Sequence, residues 1–410
     1  MNLHRPTTPH PVFDPARLAL VRSAGEKAVP PLRPRVDIPV RDPCPDAEDR
    51  ARHHSRGRFL ARQEAWDQLA KEMREAESAK LLTPGLAPVT MCLAEGARSD
   101  VCTAARKAVA RGEPQRVVTT LRAFEASLAD EDPEDLPLLY YILAMAHVET
   151  AGAWRGASPA AKLAQQRRSA YVQHMRAAQA LADRFDPFEH NTILWAALRC
   201  AVLEADANPA SRMADDYEDF IEMDPRLPGP MRALGRNARP RRFGSWEVLE
   251  NEARRVAMQT ADVWGVGGYT WVYIGALERD AGAFRRLDAE LFIAGLHDVL
   301  ARFPTQDMAN RLAAFTGLTV GGPSEPGSSR RRVADALGWI TQDHLRELHP
   351  VIWAEAPTPG RPLPGDSTKD PSKRGRIRAN SALGEFYAPA LNAGRRLVFS
   401  ADGVRMLKGD

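Results

Sequence analysis

Ten histidines and four cysteines are the side chains in this 410-residue chain best suited to hold a metal or act as nucleophiles. Their spacing argues against both. His53 and His54 are adjacent, so on a helix they point about 100° apart and do not share one ion. His344 and His349 are five apart, outside the i, i+4 spacing that sets two imidazoles on one helix face. Glu189-His190 lacks the second histidine of an HExxH motif, and Cys92 and Cys102 stand ten apart with no histidine nearby. No metal and no other cofactor is therefore expected. The chain has no Gly-x-Ser-x-Gly elbow and no recognisable Cys–His arrangement. Cys200 lies in an apolar helical stretch, where a thiol behaves as a small core residue. No catalytic residue is assigned.

Oxyanion binding is the next chemistry. No GxxxxGK[ST] loop occurs, and WGVGGYTW neither fits GxGxxG nor follows a strand. The run Arg236, Arg239, Arg241 and Arg242 is denser, and guanidinium forks suit phosphates and carboxylates. Its blander reading is a solvated loop paired with acids such as Glu247. Asp215, Asp216, Glu218 and Asp219 form an acidic cluster read as a solvent face. Trp, Tyr and Arg are the types enriched at binding hot spots. They gather here as Trp154-Arg155, Trp195, Trp264, Tyr269, Trp271 and Tyr273, which are equally what a stacked helical core needs, and core is the favoured reading of the set. The residues expected to contact a partner are Trp154, Arg155, Arg239, Arg242 and Trp271. His147, late in a very apolar helix, reads as a hydrogen-bonded core histidine.

The elements that must position these residues are helices. Phe59, Trp66, Leu69, Met73 and Ala76 make one apolar stripe over Arg56–Ala79, with Ser55 as its N-cap. Val89–Ala110 is one long helix or two joined near Gly96 and Ser99. Glu113–Asp130, Leu136–Ala151, Pro159–Phe185, Phe188–Ala205 and Pro209–Met223 follow. Trp246–Met258, Tyr269–Leu277, Phe284–Leu300, Thr305–Phe315 and Arg330–His349 complete the series. Residues 1–45 hold ten prolines, which forbid long helices and interior strands. Residues 350–372 hold six more. Arg396–Ser400 and Val404–Leu407 read as a β-hairpin turning at Asp402-Gly403.

The paired helices end alike, at Asp186-Pro187, Asp224-Pro225 and Phe303-Pro304, with spacings of 38 and 79 residues. A period near 38 is one helical hairpin per unit. Over roughly residues 115–320 the chain resembles the tetratricopeptide family in its broad sense. Ala196, Ala197 and Ala201 stand as small packing residues, and Tyr217 and Phe220 as large ones. The units are longer than the family's, and its Trp-Leu-Gly-Tyr signature is absent. The stretch MRALGRNARPRRFGSWEVLENEARRVA also resembles bacterial proteins of this helical type. The resemblance implies an all-α fold of antiparallel helical hairpins in a curved array, with a concave face that binds protein or peptide. On this reading residues 1–52 are a proline-rich extended arm and 53–349 the helical-repeat domain. Residues 350–380 are a Pro/Gly/basic linker, and 381–410 a C-terminal segment with the hairpin.

Composition sets the outer limits. Apolar residues are 44% and charged residues 27%, ordinary for a folded chain. The net charge of +3 divides into +5 over residues 1–62, +5 over 359–410 and −7 between them. An acidic body with two basic ends does not match a nucleic-acid groove. Val263–Leu277, the longest uncharged stretch tested, has 15 residues, short of a spanning helix, so no membrane partner is expected. Few cysteines, no CxxC pair and an N-terminus without an apolar segment point to the cytoplasm. The expected function is a non-catalytic interaction module. The alternative is an enzyme whose pocket lies between hairpins and holds His147, His190 or Asp215.

Overall fold

Prolines that would break a helix from inside begin helices here. Pro45, Pro114, Pro209, Pro228, Pro350 and Pro371 each sit in a first turn, where the missing N–H has no intrahelical partner to lose. Thr192, Ser245, Asp288, Thr305 and Ser328 cap others, and Asp370 caps the helix that Pro371 begins, each accepting a backbone N–H two or three residues on. The computed structural model describes residues 35–129, 131–156, 164–360 and 362–408. It is mostly helical, with a small three-stranded sheet. The proposed arm lies outside the described residues over 1–34.

Local patterning places many helices well: Pro209–Met223 runs as expected, and Trp246–Gln259 and Gly267–Leu277 differ by one or two residues at an end. Other readings need correction. The Arg56–Ala79 stripe is two helices, Pro45–Arg62 and Trp66–Ser78, broken where Glu64 turns to φ 54°. Ser55 is therefore inside a helix, and the arm gives way to structure well before residue 52. Val89–Arg111 is one unbroken helix, and Gly96 is no joint. It is a crossing point: a Cβ on Gly96 would lie 1.9 Å from the His54 carbonyl oxygen, and one on Gly57 would lie 2.0 Å from that of Leu93. The two backbones touch because both residues are glycine. Helix Pro228–Asn237 crosses Gly267–Leu277 the same way, through Gly235 and Gly275.

Two apolar cores result. One runs from Leu60 to Val202 and centres on Leu139, Ile142 and Trp195. The other runs from Ala196 to Phe399 and takes in Ile38. Its centre is Gly267–Leu277, buried at every position. No described helix is long and apolar enough to cross a membrane.

Residues 350–380 do not form a linker. They contain helix Pro350–Glu355 and most of helix Pro371–Phe386, which pack together. Arg378 joins them. Its guanidinium donates to the carbonyls of Ala354 at 2.8 Å and Ala356 at 3.2 Å, and to Asp366 at 2.8 Å. It thereby satisfies helix-end acceptors that have no intrahelical donor. The sheet ties the two ends of the described chain together. β1 (Val36–Asp37) pairs in parallel with β2 (Arg395–Ser400), which pairs antiparallel with β3 (Gly403–Lys408). Leu397 and Phe399 face the second core, so the hairpin is held by packing.

Candidate functional site

Helices from both cores deliver arginines to one place. Arg50 comes from Pro45–Arg62, Arg98 from Val89–Arg111, Arg232 from Pro228–Asn237 and Arg311 from Gln306–Ala314. Two adjoining cavities, of about 460 and about 500 Å³, share Arg50, Arg232 and Arg311 in their walls. The larger is otherwise mainly apolar, with Leu86, Met91, Tyr217 and Phe220, and Arg98 also lines it. Glu95 is the one carboxylate in its described wall.

The guanidiniums are incompletely paired. Arg98 is 7% exposed; its Nε donates to Glu149 at 2.6 Å, while buried Nη1 meets no acceptor among the described residues. Arg232 pairs with Glu278 through Nη2, and its buried Nε likewise has no acceptor. Burial, and then the neighbouring Arg311 charge, hold Arg232 below the usual arginine range despite Glu278. Arg50 is exposed and forms no ion pair among the described residues.

A second constellation stands at the smaller cavity. Cys44, the N-cap residue of Pro45–Arg62, forms part of its wall. The ligand atoms of Cys44, Asp307 and His349 all lie within 4.8 Å of one another, and the three residues are buried. Asp307 Oδ2 accepts from Arg311 at 3.1 Å, whereas Oδ1 is buried without a donor. His349 Nε2 lies 2.9 Å from Glu347, whereas Nδ1 is buried without a partner. Asn310 sets this corner. It accepts from the His349 N–H at 2.9 Å and Trp353 Nε1 at 2.8 Å, and donates to the Glu347 carbonyl at 2.9 Å.

The residues singled out in the sequence lie elsewhere. Trp154 and Trp271 are 4% and 0% exposed, so both rings belong to the cores rather than to a contact surface. Arg155 and Arg242 do meet: both pair with Glu204, which Tyr171 also reaches. Their charge is answered inside the protein. Arg239 donates Nε to the Arg236 carbonyl at 2.8 Å. The loop arginines pair with Glu204, Glu278 and Asp280, not with Glu247. The acidic cluster is not wholly a solvent face, because Asp216 is buried and bonded to Arg212 at 3.1 Å. Burial raises its carboxyl above the usual range.

His147 is bonded, as expected, with its Nδ1 3.1 Å from that of His174. Both line a cavity of about 420 Å³, and burial, with the His174 charge second, lowers His147 to about 4. His190 and Asp215 are exposed and do not line that cavity. Burial pushes Cys92 up to about 11 and Cys102 up to about 12, and raises Cys200, so none of these thiols is an activated nucleophile. Neither the arginine cleft nor the Cys44 cluster has a signature that spacing could reveal. The cluster's members stand at positions 44, 307 and 349, and only folding brings them together. No protein-family description, curated protein or solved structure matches the chain.

Proposed function

We propose that the chain is a cytoplasmic, non-catalytic interaction module whose arginine-lined cleft receives a carboxylate-bearing, partly apolar segment of a partner protein. The observation that carries this reading is the convergence of Arg50, Arg98, Arg232 and Arg311 on one cavity whose described wall holds a single carboxylate, Glu95. Four guanidiniums and one carboxylate in the described wall leave a surplus of positive charge, which a ligand carboxylate in the cavity neutralises. Arg232 and Arg311 repel one another, and an anion between them relieves the repulsion. Leu86, Met91 and Phe220 offer apolar surface to the flanking side chains. Paired helices such as Leu136–Arg155 with Gln165–Ala182 fit a helical-hairpin array, whose concave faces bind peptides. Four buried, unbridged cysteines accord with a reducing compartment.

The test is selection of a phage-displayed random dodecapeptide library on the full chain. Enriched peptides should combine Asp or Glu with apolar residues. A synthetic copy should bind less tightly as salt rises, and about tenfold or more weakly to Arg50→Glu, an exposed substitution that spares the core. Enrichment without acidic residues, or equal binding by the variant, would overturn the reading.

A further inference from the structure

We propose that Cys44, Asp307 and His349 form a zinc-binding site beside the smaller cavity, whose wall Cys44 helps to form. The donor set is one sulfur, one oxygen and one nitrogen, and a soft thiolate beside an imidazole selects zinc over magnesium or calcium. Zinc–ligand distances of about 2.0–2.3 Å put tetrahedral ligands about 3.3–3.8 Å from one another. The three atoms are already within 4.8 Å of one another, so closing on an ion takes shifts of about 1 Å.

Three independent features point the same way. Asp307 and His349 are 5% and 1% exposed, and each keeps one polar atom unpartnered among the described residues: Oδ1 and Nδ1. Burying such atoms without partners is costly, and coordination satisfies both at once. The other ring nitrogen of His349 already faces the Glu347 carboxylate, the carboxylate–histidine arrangement that fixes the tautomer and orients a metal-binding imidazole. The other Asp307 oxygen is held by Arg311. Finally, Asn310 locks the backbone on both sides of the histidine, through the His349 N–H and the Glu347 carbonyl. With thiolate and carboxylate, a dication makes the buried cluster neutral overall. Three protein ligands leave a fourth position, and Cys44 lies where the cavity can supply it. The zinc argument does not need an anion in the neighbouring cleft, although Arg311 borders both sites.

The experiment uses the full chain stripped of metal with a chelator. Zinc is titrated against a chromophoric competitor, and cobalt is added as a spectroscopic stand-in. The expected result is one zinc per chain, a thiolate-to-cobalt charge-transfer band and a higher melting temperature with zinc, all read on the unsubstituted protein. Cys44→Ser should abolish the band. His349→Gln should weaken zinc about 100-fold or more, and Glu347→Gln about 10–100-fold. His147→Gln, at the separate histidine pair, should leave binding unchanged. Circular dichroism of each metal-free variant separates lost ligation from lost folding. The proposal is overturned if the unsubstituted chain takes up no stoichiometric zinc, if the band survives Cys44→Ser, or if His147→Gln is the change that removes binding.

Discussion

Glu77 is a partly buried carboxyl group at a helix junction, and Glu77→Gln turns that burial into a measurable pH dependence. It ends helix Trp66–Ser78 and reaches the start of Ile193–Ala201, bonding to Thr192 Oγ1 at 2.7 Å and the Ile193 N–H at 2.9 Å. Burial outweighs both bonds and raises its carboxyl from 4.5 to about 7. In the unfolded chain Glu77 loses its proton near pH 4.5, while in the fold it keeps it until about 7. Below 4.5 the two states bind the same proton and there is no effect. Between 4.5 and 7 the folded state alone holds it, so stability falls as pH rises, and the full penalty applies above 7. At 1.36 kcal/mol per pH unit, the penalty reaches about 3 kcal/mol. Glutamine mimics the protonated acid, donating to Thr192 and accepting from Ile193, but never ionises. Urea unfolding of both proteins at acid and alkaline pH gives the difference directly. The variant should match the native chain near pH 4.5 and exceed it by up to about 3 kcal/mol near pH 8. A difference independent of pH, or one that favours the native chain as pH rises, would refute the reasoning.

Three further outcomes follow from packing and buried hydrogen bonds. Gly96→Ala places a Cβ 1.9 Å from the His54 carbonyl oxygen, so it should cost about 3 kcal/mol or prevent folding. Gly152→Ala, in a helix with nothing within 4 Å, should be neutral or stabilising by up to about 1 kcal/mol; thermal unfolding compares them. Asn310→Ala leaves the Trp353 Nε1 and His349 N–H groups buried without an acceptor. It should cost about 2–5 kcal/mol in urea unfolding.

What the sequence determined by itself was local. Proline at a first turn acts within a few residues, so Pro209–Met223 could be read to its ends without knowing its neighbours. Residue type likewise marks Trp271 and Trp154 as large buried-or-binding side chains, but only tertiary packing decides that both are core. The break at Glu64 was invisible because the stripe from Phe59 to Ala76 keeps its period across it. Gly96 read as a weak point in a helix; the structure makes it a contact, because a glycine's use depends on what crosses it. Arg155 and Arg242 were legible as recognition side chains, yet Glu204, distant in the chain from both, neutralises them. The cleft arginines and the Cys44–Asp307–His349 cluster have no sequence signal, since their chemistry exists only when helices hundreds of residues apart are brought together. Short-range physics specified where helices start and which faces are apolar. Which polar groups converge, and which are left unpaired in the interior, was decided by the long-range packing of those faces.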